Sequence, residues 1–293
     1  LDVSNNTALT NLNCYGNDLT SLDLSNNTAL MSLVCFDNQL TSLDLSNNSA
    51  LETLSSQDNS LSSLDLSANT SLEYLSCMRN QLTALDLSQN ISLNHLNCNS
   101  NQLTTLDLTN NSALTFVECF NNDLSTFTLN TPLLTTLLAS DTELTSIDLS
   151  SCIALEQLNL SNNQLTSLDI SSNTALTNLD CGSNSLTSLD ISANTALTYL
   201  GCTSNQLDSL DVSSNTALTY LACNSNNQLT SLDVSSNTAL TYLTCDNNQL
   251  ASLDVSANTA LTYLTCGANQ LLTHLNMKNG VTDQLSTFNA TGN

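Results

Sequence analysis

Leucines return along this chain at a fixed interval. Aligned on Leu9, Leu30, Leu51, Leu72, Leu93, Leu114, Leu134, Leu155, Leu176, Leu197, Leu218, Leu240 and Leu261, the sequence holds thirteen copies of one unit. The unit reads L-x-x-L-x-C-x-x-N-x-L-T-S-L-D-(L/I/V)-S-x-N-T-A. The spacing is 21 residues, except for 20 between Leu114 and Leu134, 22 between Leu218 and Leu240, and 24 between Leu261 and Leu285. Within a unit the apolar positions alternate. Leu12 and Cys14 point one way, with Asn11, Asn13 and Tyr15 opposite, and Leu22 and Leu24 repeat the pattern against Ser21 and Asp23. Both walls of the unit therefore read as extended, and no unit has room for a long helix. The pattern predicts a mainly β solenoid: a principal parallel sheet, short strands or 3₁₀ turns on the back, and a length of roughly 65 Å at about 4.8 Å per strand.

Three further columns follow the period. Cys14, Cys35, Cys77, Cys98, Cys119, Cys181, Cys202, Cys223, Cys245 and Cys266 share one slot, which excludes the close pairs of a zinc site. In-register strands hold these side chains parallel, an awkward geometry for a disulfide, so buried free thiols are expected, and likewise at Cys152 off the column. Two asparagine columns mark the corners, Asn17 to Asn269 and Asn27 to Asn258, where buried amides are expected to satisfy backbone N–H and C=O groups leaving the ladder.

The opening L-x-x-L-x-C-x-x-N-x-L resembles the leucine-rich-repeat signature, and the resemblance covers essentially the whole chain. Within that family it is similar in plan to the short bacterial internalins, and closer to repeat proteins secreted by marine Bacteroidetes. The tail Leu275-Asn276-Met277-Lys278-Asn279-Gly280, with Phe288-Asn289-Ala290-Thr291, resembles their closing repeats. The resemblance implies an extracellular or cell-surface adhesion or recognition role. Residues 1–293 are read as a single leucine-rich-repeat solenoid with partial repeats at both ends, a fragment of something longer. Unpaired strand edges at the ends predict either association through a terminal repeat, as a homo-oligomer, or an unusually twisted edge.

Charge narrows the partners. With 26 acidic residues against two basic ones, Arg79 and Lys278, the net charge is −24. Such a surface repels nucleic acid, anionic lipid and sulfated glycan. No run of about 18 apolar residues is present, so membrane insertion is not expected. A protein or a neutral polysaccharide fits better.

Twelve aspartates form a column on the back, among them Asp23, Asp44, Asp65, Asp86 and Asp107. A solvated acidic face is the plain reading, and calcium shared between those five rungs is the alternative. Neither the D-x-D-x-D loop nor the glycine-rich nonapeptide of dedicated calcium sites is present, so no cofactor is required. Outward aromatics supply the binding candidates. Tyr199, Tyr220, Tyr242 and Tyr263 occupy one slot in four successive repeats and are expected to form a ladder, either strengthening the sheet or offering ring faces to sugars or peptides. A second, more individual patch gathers Tyr74, Met78, His95, Asn97, Asn99, Phe116, Glu118 and Phe120, with Arg79 at its rim. His95 beside Glu118 invites an acid–base reading, but the pattern implies no nucleophile, no second carboxylate at glycosidase spacing and no deep pocket. The expectation is a non-enzymatic recognition or adhesion module binding through the principal sheet face. The alternatives are a purely structural spacer and a calcium-dependent adhesin.

Overall fold

Each repeat places a short x-L-x strand in the principal sheet, ending just before the cysteine slot, as Asn11–Asn13 does before Cys14. The computed structural model describes residues 1–280 and 284–293, in two compact units, Leu1–Ile147 and Asp148–Asn293. In the first unit the principal sheet runs β1 (Asn11–Asn13), β2 (Ser32–Val34), β3 (Thr53–Ser55), β4 (Tyr74–Ser76), β5 (His95–Asn97), β7 (Phe116–Glu118) and β9 (Thr136–Leu138). On its back, β6 (Thr105–Leu108) pairs with β8 (Thr126–Leu129). In the second unit the sheet runs β10 (Gln157–Asn159), β11 (Asn178–Asp180), β12 (Tyr199–Gly201), β13 (Tyr220–Ala222), β14 (Tyr242–Thr244), β16 (Tyr263–Thr265) and β18 (Thr287–Asn289). Here β15 (Ser252–Asp254) and β17 (His274–Asn276) pair on the back. Every pairing described is parallel, and equivalent positions of successive repeats stand opposite each other, as Leu33 does with Leu54. Each unit is thus a parallel β-solenoid, and no helix longer than a single turn occurs among the described residues.

The strand ends where one residue enters the left-handed region. Gly16 (φ 64°), Asp37 (φ 55°), Ser183 (φ 53°) and Asn247 (φ 52°) hold this position in their rungs. Gly, Asp and Asn tolerate it best, since most side chains lose about 1–2 kcal/mol there. Ala268 carries the same conformation at φ 52° with no compensating side-chain hydrogen bond. Ala268→Gly is expected to raise the stability of its unit by about 0.5 kcal/mol, the relieved strain less the added unfolded-state entropy. A urea titration measures this, and a loss of stability would refute the strain argument.

The next residue is the first-column asparagine, which ties two rungs together. Asn38 Nδ2 donates to the carbonyls of Cys14 (3.0 Å), Cys35 (3.1 Å) and Phe36 (3.2 Å), while its Oδ1 accepts the Leu19 N–H at 3.0 Å. Asn226 belongs to this column too, donating to Cys202 and Cys223 and accepting from Leu207. The extra residue Asn227 just after it obscures this in the sequence. Thr142 takes the slot in its own rung, donating to the Ala139 carbonyl at 2.9 Å.

The second column behaves differently from the expectation. Asn48 Nδ2 donates to the carbonyls of Leu24 (3.3 Å) and Asn27 (2.9 Å), but its Oδ1 has no partner, nor has that of the other nine members. The reason lies in the turn. The N–H groups of that corner are already used, Asn48 to Leu45 and Leu51 to Asn48, so the amide serves carbonyls only.

Between the walls the leucine columns are fully buried, and all eleven cysteines are buried free thiols. Burial lowers the acidity of the column's thiols: Cys35, Cys77 and Cys181 each rise to about 12. They pack as small hydrophobes and are poor nucleophiles.

Candidate interaction surface on the principal sheet

Register alone builds the tyrosine ladder. Because Tyr199 stands opposite Tyr220, then Tyr242, then Tyr263, the four rings stack with centroids 4.4, 4.3 and 4.2 Å apart and planes within 11° of parallel. Each ring is half-buried. Stacking has a chemical consequence: each interior ring has both faces covered by its neighbours, so the ladder offers solvent its edges and hydroxyls. The flat platform on which a sugar ring would rest is absent along the ladder. Burial, reinforced by neighbouring phenols, raises the Tyr199, Tyr220 and Tyr242 hydroxyls above their usual range and keeps them protonated.

Beside the ladder runs a shallow groove of about 580 Å³. Tyr220, Tyr242 and Tyr263 form one wall, and short side chains, Ala222, Thr244 and Thr265, form the floor. Asp246 lies in the lining, its Oδ1 accepting the Gly267 N–H at 2.7 Å and its Oδ2 the Thr265 hydroxyl. One rung before the groove, Asp180 folds over Gly201, where a Cβ would come within 3.0 Å of its Oδ1. Burial raises the Asp180 carboxyl, countered in part by the Gly182 N–H it accepts at 3.0 Å. Asp180, Asp246, Gly201 and Gly267 did not stand out in the sequence. The signal was there, since each departs from its repeat's neighbours on the outward face.

In the first unit the second patch divides into two parts. Tyr74, His95 and Phe116 form a continuous stack, with centroids 4.6 and 4.3 Å apart. Burial lowers the His95 pKa, so the imidazole is neutral. Asn97, Asn99 and Glu118 form a separate polar network: Asn97 donates to Glu118 at 2.5 Å, and Asn99 donates to Asn97 (2.7 Å), to Glu118 (3.4 Å) and to the Met78 sulfur (3.7 Å). Burial raises Glu118, and the amide of Asn99 opposes it. The carboxylate is thus engaged by amides, and the imidazole is engaged by rings. Arg79 turns to Asp58 instead, with Nε 2.6 Å from its Oδ1. Phe120 stands two outward slots along from Phe116, beyond Glu118, and makes no ring contact among the described residues. A further pair, Tyr15 and Phe36, stacks at 4.5 Å.

The aspartate column has a local task. Asp23, Asp44, Asp65, Asp86 and Asp107 each accept the N–H two residues on, at 2.9–3.0 Å, closing the turn that follows. Hydrogen bonds from that Ser or Thr hold all five carboxyls below their usual range. No three His, Cys, Asp or Glu side chains gather as a metal ligand set among the described residues. Among them, too, no helix is long and apolar enough to cross a membrane.

A 21-residue parallel solenoid with leucine walls, a buried cysteine column and asparagine corners gives the chain the leucine-rich-repeat fold. The comparisons agree. The chain is similar to the functional domain of InlJ from Listeria monocytogenes, which also includes a cysteine ladder, at 37% identity and a TM-score of 0.88 over 92% of this chain and 63% of that one. It thus spans just under two thirds of that domain. It shares its fold with the internalin InlF of Listeria monocytogenes (22% identity, TM-score 0.83, 97% of this chain and 86% of that one). The same holds for a leucine-rich-repeat protein of Leptospira interrogans (24% identity, TM-score 0.82, 99% and 80%). No family model matches the chain, and no curated protein matches it.

Proposed function

We propose that this chain is a non-enzymatic recognition module that binds a protein partner through the principal sheet face of its second unit. The groove beside the tyrosine ladder carries this reading. It is a shallow groove with tyrosine edges, the residue type enriched at protein interfaces, over a floor of short side chains. Likeness to internalins and other leucine-rich-repeat proteins supports an interaction role, and with it an extracellular or cell-surface setting. Between the two partner classes compatible with the charge, the stacking of the rings favours protein over neutral polysaccharide, because the ring faces are spent on one another.

The test compares the intact chain with a Tyr220→Ala/Tyr242→Ala variant in two assays, selection of displayed peptides and affinity electrophoresis in neutral polysaccharides. Peptide clones that bind the intact chain and weaken at least about tenfold on the variant are expected. Gel retardation that vanishes in the variant would move the site to glycan. Indifference of both assays to the substitutions would make the chain a spacer.

A further inference from the structure

One charged side chain lines the groove without an opposite charge. Asp246 is the lining's only ionisable group apart from the tyrosines, and no Lys or Arg approaches. The one ion pair among the described residues is Arg79 with Asp58, in the other unit. The Asp246 carboxylate is also fixed in place. The Gly267 N–H and the Thr265 hydroxyl each hold one oxygen. Gly267 permits this, for a Cβ there would lie 2.6 Å from the Thr291 carbonyl and 3.2 Å from Asp246 Oδ1. A carboxylate has about four acceptor positions, and the protein fills two. The remainder belongs to whatever enters the groove, at little cost in side-chain ordering because the rotamer is already set.

The surroundings say what enters. The floor of Ala222, Thr244 and Thr265 lets a main chain approach the sheet, whereas the interior rings, Tyr220 and Tyr242, have both faces covered and offer a flat ring no platform. On the opposite wall the hydroxyls of Tyr220 and Tyr242 stay protonated and can bond to peptide carbonyls and amides. A net charge of −24 draws cations toward the whole chain and repels anionic partners. We propose that the groove binds an extended peptide segment of a basic partner protein and seats a lysine or arginine side chain on Asp246. This rests on the sheet face being the recognition surface, and names the chemistry of its partner. Arginine is preferred, since its fork can reach both free carboxylate positions.

The test starts from a phage-displayed library of random linear peptides selected on the intact chain. Enriched sequences are made as synthetic peptides and titrated by calorimetry against the intact chain, the Asp246→Asn variant and the Tyr220→Ala/Tyr242→Ala variant. Asparagine keeps the acceptor for the Gly267 N–H, so the thermal midpoint of D246N is expected to stay unchanged while the charge is removed. The expected result is enrichment in Arg and Lys, with affinity about tenfold weaker on D246N. Peptides lost on the tyrosine variant but free of basic residues, or indifferent to D246N, overturn this inference and leave the sheet-face reading intact. Failure to enrich any peptide, or peptides indifferent to both variants, overturns both.

Discussion

Raising the pH from 8.5 to 10.5 is expected to lower the melting temperature of the second unit by roughly 5 °C or more. The cause is the cysteine column. Cys181, Cys202, Cys223 and Cys245 are all more than nine-tenths buried, and burial raises each well above its ordinary value of 9.0. The folded chain therefore keeps these protons while the unfolded chain gives them up. Stability that is fully present below pH 9 falls as the pH climbs from 9 toward the folded value. Cys181, pushed up to about 12, by itself contributes a loss of about 2 kcal/mol at pH 10.5, and the other three thiols act in the same direction. Circular dichroism read beside thiolate absorbance checks this, with thiolate expected to appear only as the chain unfolds. A Cys202→Ala/Cys223→Ala variant is expected to make the pH slope shallower. Thiols that titrate near 9 in a folded protein, with a flat melting temperature, would sink the argument.

The cysteine column was legible in the sequence because its period equals that of the leucines. One slot in a parallel stack must share one environment, so Cys35 predicts Cys223. The tyrosine ladder was legible for the same reason. What the pattern did not carry was the direction each side chain takes between rungs. That Tyr220 lays its faces on Tyr199 and Tyr242 follows from a strand spacing close to the thickness of a stacked ring, and it removes those faces from use as a platform for sugars. Arg79 looked like the rim of a patch, yet Asp58 holds the same slot one rung earlier and captures it. Asp246 and Gly267 were hidden more deeply. Their meaning lies in a bond between neighbouring rungs, and a column-by-column alignment treats both as random variation on an outward face. The individual patch split for a similar reason: His95 and Glu118 sit on adjacent strands two residues apart, so alternation places both outward, but stacking claims one and amides claim the other.

The two asparagine columns look alike in sequence, and their substitution is expected to separate them. Asn205 donates to the carbonyls of Cys181 (3.0 Å), Cys202 (3.3 Å) and Thr203 (3.2 Å), and accepts the Leu186 N–H at 3.0 Å. Asn205→Ala strands the buried Leu186 N–H and removes bonds to three carbonyls that each keep one other donor, Asn184, Asn226 or the Ser183 N–H. At about 1–3 kcal/mol for the unpaired N–H and about 0.5–1.5 kcal/mol for each lost bond, a loss of roughly 3–5 kcal/mol is expected. Asn215 donates only to Ile191 (3.0 Å) and Asn194 (2.9 Å) and already buries an Oδ1 without a partner. Asn215→Ala removes that unpaired acceptor along with the two donated bonds, and the gain offsets part of the cost. About 1–3 kcal/mol is expected, clearly less than at Asn205. Urea unfolding of the two variants, followed by circular dichroism, measures the difference directly. Equal losses would mean that the acceptor in the second column is satisfied, and that the turn N–H groups are not what divides the two corners. A larger loss at Asn205 would assign the rung-to-rung tie to the corner that follows the principal strand, the corner that also holds the floor and far wall of the groove in register.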